Sequence, residues 1–314
     1  PGVTIKYTIT GATPTTTNAT YVSAISITTT QVIRARATST NTQILPSFIE
    51  NNTYFINVTH SVNVVSVFGD RICPPGFVAG GTLLNGTQIQ AESGLEYFDN
   101  TGILRAEAFG HSNEHGNDSW AYAQRGIDFI CRDEWGYNDA LKYQIFNSKP
   151  RAEFQRIIIK AAANDNYPFE GTPNSNFAGE LGGAHIRDQY VHTVSQKAGM
   201  HTDARTWAPA VLYANGQYWG VYDVREKVDD KDFTKYYYNS KEDSLQFLQT
   251  WGATWSAYGG PQAQTDWNSL VSFVNANSMT VTANYNYVDS KYNVKSLADY
   301  VILNSYVVCS DWLN

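Results

Sequence analysis

The sequence is short of charge, of cysteine and of long apolar runs, and each shortage closes off a class of function. Charged residues make up 16% of the 314, with 22 Lys and Arg against 29 Asp and Glu, for a net charge of −7. A chain so poor in cations has no basic face to neutralise phosphates, so nucleic acid is not an expected partner. Anionic membrane surfaces hold no attraction for it either. Cys73, Cys131 and Cys309 lie far apart with no CxxC pair. That spacing excludes a zinc knuckle and leaves one disulfide with a spare thiol or, as the expectation, three buried thiols. No apolar run approaches the ~18–20 residues that a membrane-spanning helix needs. Also missing are a GxxxxGK(S/T) phosphate loop, a GxGxxG turn, a GxSxG elbow and an HEXXH pair.

What is present supports a folded, exported protein. Hydrophobic residues reach 42% and aromatics 14%, enough for a sizeable core. Thr, Asn, Tyr and Gly dominate the texture, which points to secretion or the cell surface. Asn-x-Ser/Thr sequons at Asn18, Asn51, Asn57, Asn85 and Asn117 add little, since an Asn- and Thr-rich chain produces them by chance. Pro1 opens directly into a strand pattern and the chain stops after Ser310-Asp311-Trp312-Leu313-Asn314, so a fragment of a longer protein is expected.

Periodicity predicts an α+β chain, sheet first and helices after. Residues 1–58 read as a β-sandwich, incomplete at its front, because Val3, Ile5, Tyr7 and Ile9 alternate with Thr4, Lys6, Thr8 and Thr10. A turn at Gly11–Pro14, alternation at Ile25 and Ile27 and a run Val32–Ala37 follow. Tyr54–Val58 looks strand-like, and Val62–Phe68 leads into a second region, 59–314. There 69–120 is rich in Gly, Asn and Pro and reads as loops with short strands. Gly126–Cys131 and Ile157–Ala161 read as buried strands. Asn215-Gly216 between Val211–Ala214 and Gln217–Tyr222 predicts a hairpin with a type I′ turn, the two positive-φ positions falling on Asn and Gly. Helices are predicted through Ile186, Tyr190, Val194 and Ala198, ended by Gly199, and over 232–238 behind a cap at Asp229 or Asp230. Three more are predicted: after Ser240 with Asp243, carrying Leu245, Leu248 and Trp251; after Thr265, carrying Trp267, Leu270 and Val274; and after Ser296 with Asp299.

Two constellations carry candidate chemistry. His111-Ser112-Asn113-Glu114-His115 spells H-x-x-E-H, but that zinc chemistry needs a helix to bring both imidazoles to one face. Gly110, Gly116 and Asn117 bracket it, so an exposed loop is expected instead. The densest charge runs from Asp223 through Arg225, Glu226, Lys227, Asp229 and Asp230 to Asp232. As a group it reads as a solvated strand-to-helix turn. Glu226 differs, because strand alternation aligns it with Tyr218, Tyr222 and Val224. A carboxylate on an apolar face must either reach a cleft or meet a cation.

The stretch Asn215–Asp229, read as NGQYWGVYDVREKVD, resembles the NGxYxGVYxxxE hairpin of the CotH kinase family. Gln124–Asp128 is similar to that family's RG strand, Ile157–Ala161 with Asn164-Asp165 to its next strand, Ile186-Arg187-Asp188 to a helix start, and Val307–Asp311 to the entry of its catalytic loop. Separately, Ile5–Pro14, Tyr21 and Val32–Ala35 resemble a chitobiase C-terminal-like β-sandwich, a spacer or accessory module. The first resemblance implies an atypical kinase-like α+β fold that moves phosphate from ATP, with Mg or another divalent cation, to protein Ser or Thr. It implies that Asp311 is the catalytic acid and a metal ligand, and that Glu226 is a cofactor-site carboxylate paired with a phosphate-anchoring cation. Arg125 lies in the RG motif. The family's lysine has no clear counterpart after it, so Lys142 and Arg132 are the candidates. A metal-binding segment expected after Asp311 falls beyond Asn314, so the chain alone is expected to be inactive. The alternative is a degenerate kinase fold serving as an extracellular scaffold, adhesive or carbohydrate binder, for which Trp251, Trp255 and Tyr258 before Gly259-Gly260 are the candidate surface. Expected partners are thus a protein substrate or surface-assembly partner, with carbohydrate as the alternative.

Overall fold

The computed structural model describes residues 2–72, 91–116, 124–166, 184–241, 244–309 and 312. It divides into two compact units: one comprises Pro1–Ile186 with Thr206–Glu226, the other Arg187–Arg205 with Lys227–Asn314. Neither follows a boundary at residue 58.

The first unit begins with four strands, β1 (Val3–Thr8), β2 (Ala19–Thr20), β3 (Gln31–Ser39) and β4 (Glu50–Tyr54), in the order β2-β1-β3-β4. This is one sheet, and no second layer of a sandwich accompanies it among the described residues. The strand-like readings at Ile25–Ile27 and beyond Tyr54 are not realised. The alternation of β1 is real, but its apolar side lies open, with Val3 55% exposed. The buried side is that of Val32, Arg34 and Thr53. Arg34 lies 5.8 Å over the Phe68 ring, and Thr53 donates its N–H to Glu96 at 2.9 Å.

Seven further strands form a closed barrel: β5 (Asn63–Phe68), β6 (Ala91–Phe98), β7 (Leu104–His115), β8 (Gly126–Cys131), β9 (Arg156–Lys160), β10 (Trp207–Ala214) and β11 (Gln217–Glu226). The order is β10-β11-β9-β8-β7-β6-β5, closed by a parallel pairing of β10 with β5. Alternation fills the interior with Leu95, Phe129, Ile157, Ile159, Leu212 and Val224. Within the region read as loops with short strands, residues 91–116 instead hold two long strands, since β6 and β7 pair over eight registered positions from Ala91↔Ser112 to Phe98↔Leu104; residues 73–90 and 117–120 lie outside the described residues. Closure gives every strand a partner on both sides, which overrides weak local propensity. The Asn215-Gly216 turn is as expected, with φ of 48° and 80°. Its Asn215 side chain also binds the main chain of Gly69 and Ile72.

In the second unit α1 (Arg187–Lys197) ends before Gly199, whose φ is +64°. Its exit is clamped to α5 (Val294–Tyr306), where His201 reaches Asp299 through its main-chain N–H at 2.7 Å and its Nδ1 at 2.8 Å. Helix α2 (Lys231–Tyr238) starts after Asp230, as expected. The next helix does not form. Phe247–Trp251 is β12, paired with β13 (Ala253–Tyr258) around Gly252 at φ +67°, and the Asp243 cap lies outside the described residues. Helix α3 (Gly260–Ala276) begins five residues before Thr265, whose hydroxyl instead donates to Pro261 O. A short α4 (Thr282–Asp289) precedes α5, whose cap is Asn293, accepting from the Ser296 N–H at 3.1 Å.

Candidate phosphate-anchoring site

Glu226 is the last residue of β11. In register with Ile157, and on the side of Tyr222 and Val224, it points to the barrel interior at its rim and is 0% exposed. An unpaired carboxylate there would cost several kcal/mol. Two cations compensate: Arg151 donates from Nη1 to Oε1 at 3.1 Å, and Lys149 from Nζ to Oε2 at 2.9 Å. Both come from the segment between β8 and β9. A turn closed by Lys149 N–H to Phe146 O at 3.1 Å sets Lys149. Arg151 is fixed by a 2.9 Å bond from Nε to Glu153 O and by stacking 4.6 Å over Phe154. Arg151 is buried, whereas the Lys149 side chain keeps 22% of its surface, so one cation locks the carboxylate and the other reaches toward solvent.

Opposite alternation sends Asp223 and Arg225 to the outer face of β11. There Arg225 grips Asp223 with bonds of 2.5 and 3.0 Å, and both are buried. On the neighbouring strands Arg156 meets Asp128 at 2.9 Å. The charge-dense run is therefore a solvated turn only in its later part. Even there, burial that would raise the Asp229 carboxyl is outweighed by Lys227 at 2.8 Å and by Arg205, which hold it below the usual range.

A cavity of about 430 Å³ opens at the rim where β11 ends and β10 begins, lined by Asn63, Tyr97, Asn100, Asn147, Ser148 and Trp207 among others. Residues 143–148 form one wall, and the same segment continues into Lys149 and Arg151. Asp99, also on the wall, is engaged in its own turn. Its carboxylate accepts from the Thr101 hydroxyl and main chain and from Arg105, which hold it well below the ordinary range.

The other residues singled out from the sequence lie elsewhere. Lys142 pairs with Asp139 at 3.0 Å, both more than half exposed. Arg132 follows β8, its N–H bonded to Phe109 O at 2.8 Å, and its charge acts on His111. Arg125 meets the buried Glu114 at 3.4 Å, whose carboxyl is raised by burial and only partly drawn back by that arginine. None of the three joins Glu226, and Asp311 lies outside the described residues. The sequence signal that could have found the actual partners was Lys149-Pro150-Arg151, two cations around a proline in a cation-poor chain.

The H-x-x-E-H stretch is strand, not loop: it ends β7. Alternation puts Glu114, in register with Ile127, on the side opposite His111 and His115, so the three cannot converge. His111 instead accepts from Trp135 Nε1 at 3.0 Å, and burial lowers its imidazole pKa. Among the described residues no three His, Cys, Asp or Glu side chains could hold a metal. Cys309 is half-exposed rather than buried, and Cys131 is in the core; Cys73 lies outside the described residues.

A barrel carrying a caged carboxylate at its rim, in one chain with a mostly helical unit, defines an α+β protein with a charge-bearing site. The model of the family described as CotH kinase protein matches residues 152–314, just over half of the chain, and the chain belongs to that family. The match begins directly after Arg151 and takes in Glu226 and Asp311, while Arg125, Arg132, Lys142, Lys149 and Arg151 precede it. No curated protein matches the chain. No helix of the described residues is long and apolar enough to cross a membrane.

Proposed function

We propose that this chain is part of a secreted or cell-surface phosphotransferase that moves the terminal phosphate of ATP to a protein Ser or Thr, and that Lys149 anchors the nucleotide phosphates. Membership of the CotH kinase family supports the reaction class. The observation that carries the assignment of the cation is the geometry at Glu226: a buried carboxylate orients a partly exposed lysine that directly follows Ser148, a lining residue of the cavity of about 430 Å³. Phosphoryl transfer asks little covalent chemistry of the protein and much positioned charge. A lysine ammonium is a compact point charge suited to phosphate, but its long stem must be held in place. Glu226 holds it, and Arg151 keeps a positive charge against Glu226 when Lys149 turns toward an anion.

The cavity lining offers a nucleotide the amides of Asn63, Asn100 and Asn147 and the hydroxyl of Ser148, and Lys149 follows Ser148 in the chain. ATP, when bound, supplies the phosphoryl group and its leaving group. Family membership implies a divalent cation beside the phosphates, with Asp311 as its candidate ligand; among the described residues no three His, Cys, Asp or Glu side chains could hold one. Asp311, by its place in the family pattern, would accept the proton of the attacking hydroxyl. The N-terminal sheet, with its chitobiase-like sequence pattern, serves in this reading as a spacer module.

Transfer of radiolabelled phosphate from ATP to protein tests the reading, using the full-length protein, with Asp311→Ala and Lys149→Ala alongside. Transfer by the unaltered protein and its loss in both variants are expected. Undiminished transfer in Asp311→Ala would remove that residue from catalysis, and no transfer by any form would favour a scaffold whose ion cluster only stabilises the barrel.

A further inference from the structure

The hairpin of β12 and β13 exposes an aromatic surface that phosphoryl transfer does not use. Its register pairs Gln249 with Trp255 and Trp251 with Ala253, so these four side chains share one face. That face is open: Trp251 is 65% exposed and Trp255 43%. Leu248, Thr254 and Ser256 alternate to the other, half-buried side, and α3 packs against the hairpin. Among the described residues neither indole meets another ring, and neither indole N–H has a hydrogen-bond partner. Large aromatics normally fill cores, and an exposed aromatic pair sharing one face of a hairpin with polar neighbours has the character of a binding surface.

We propose that this face binds a neutral, flat, β-linked hexose polymer. Charge is the first reason. From Ser244 to Thr265 the sequence contains no Asp, Glu, Lys or Arg, although the chain as a whole carries −7. Among the described residues the one cation contact on the hairpin is Lys231 at 5.9 Å from the Tyr258 ring, at the end away from the Gly252 turn. A charged polymer finds no complement there, whereas a neutral sugar needs none. Shape is the second. Two indoles on adjacent strands offer successive apolar platforms for the C–H faces of pyranose rings, with the Gln249 amide and the free indole N–H groups available to ring hydroxyls. Size is the third. A stable protein interface takes roughly 20–30 residues a side, and a four-residue face on a two-stranded ribbon falls far short. The proposal does not rest on the phosphotransferase reading.

Native gel electrophoresis of the whole chain through hydroxyethylcellulose, galactomannan or the polyanion alginate tests it. Retardation by at least one neutral polymer and none by alginate is expected. Trp251→Ala and Trp255→Ala should each weaken retardation roughly tenfold, and the double variant should abolish it. Thr250→Ala, on the opposite face, should leave it intact. Free migration in both neutral gels, retardation by alginate alone, or a double variant retarded like the unaltered chain would each overturn the proposal. Should a variant fail to fold, indole emission of the unaltered chain decides: a blue shift on adding the retarding polymer is expected, and unchanged emission contradicts it.

Discussion

The barrel and the mostly helical unit handle apolar surface in opposite ways. In the barrel, inward residues from all seven strands are almost completely buried, and the interior continues to the rim where Glu226 sits. In the second unit α3 buries only Ala263, α5 only Leu303 and α4 none of its residues. Tyr300 and Ile302 remain substantially exposed, as do Val271 and Leu297, which line an apolar cavity of about 420 Å³ between these helices. A caged ion cluster belongs to the first setting. Holding Lys149 in one orientation needs a carboxylate that cannot relax into water, and only a filled barrel provides that.

That contrast can be broken by mutation. The largest effect expected is from Phe129→Ala at the barrel centre, a loss of ~3–5 kcal/mol in denaturant unfolding, against under ~1 kcal/mol for Val271→Ala in α3. Equal losses would mean the two units are packed alike. Arg151→Met should cost a similar ~3–5 kcal/mol, since it leaves Glu226 with one cation, and Arg151→Met with Glu226→Leu should recover most of it. Failure of the double variant to recover would show that Arg151 acts through packing on Phe154 instead.

Next comes a pH effect at the junction of the N-terminal sheet and the barrel. Burial pushes the Glu96 carboxyl up to about 7, opposed by the two bonds from Thr53, with Glu107 adding repulsion. The folded state thus holds this proton more tightly than the unfolded chain, where a glutamate titrates near ~4.3. Its contribution is most favourable below that value and is lost as pH rises through 7, by roughly 4 kcal/mol at the upper bound. Glu96→Gln should flatten the fall in melting temperature between pH 5 and 8; an unchanged slope would assign the dependence to other groups. Smallest of all is Lys142→Ala, expected to leave both melting and nucleotide binding unchanged, because its partner Asp139 is as exposed as it is.

What could be read in advance follows from how local each determinant is. The Asn215-Gly216 hairpin was legible because two adjacent residues fix its turn. That Glu226 must reach a cleft or meet a cation was legible from alternation alone. The identity of those cations was not, since Lys149 and Arg151 lie 77 and 75 residues away and meet it only through barrel closure. Leu245, Leu248 and Trp251 repeat at helical spacing, yet Thr250, Thr254 and Trp255 favour strand and Gly252 supplies the positive φ for a turn. Tertiary pairing settled that competition in favour of β12 and β13. Likewise His111–His115, bracketed by loop formers, became strand because β8 pairs with all five residues and β6 with His111 and Ser112.

Titration of the chain with a fluorescent ATP analogue, comparing Lys149→Ala with Lys142→Ala, addresses the phosphate-anchoring role most directly. The account predicts that affinity falls about tenfold or more in Lys149→Ala and stays level in Lys142→Ala. Equal affinity for the unaltered chain and Lys149→Ala would contradict it.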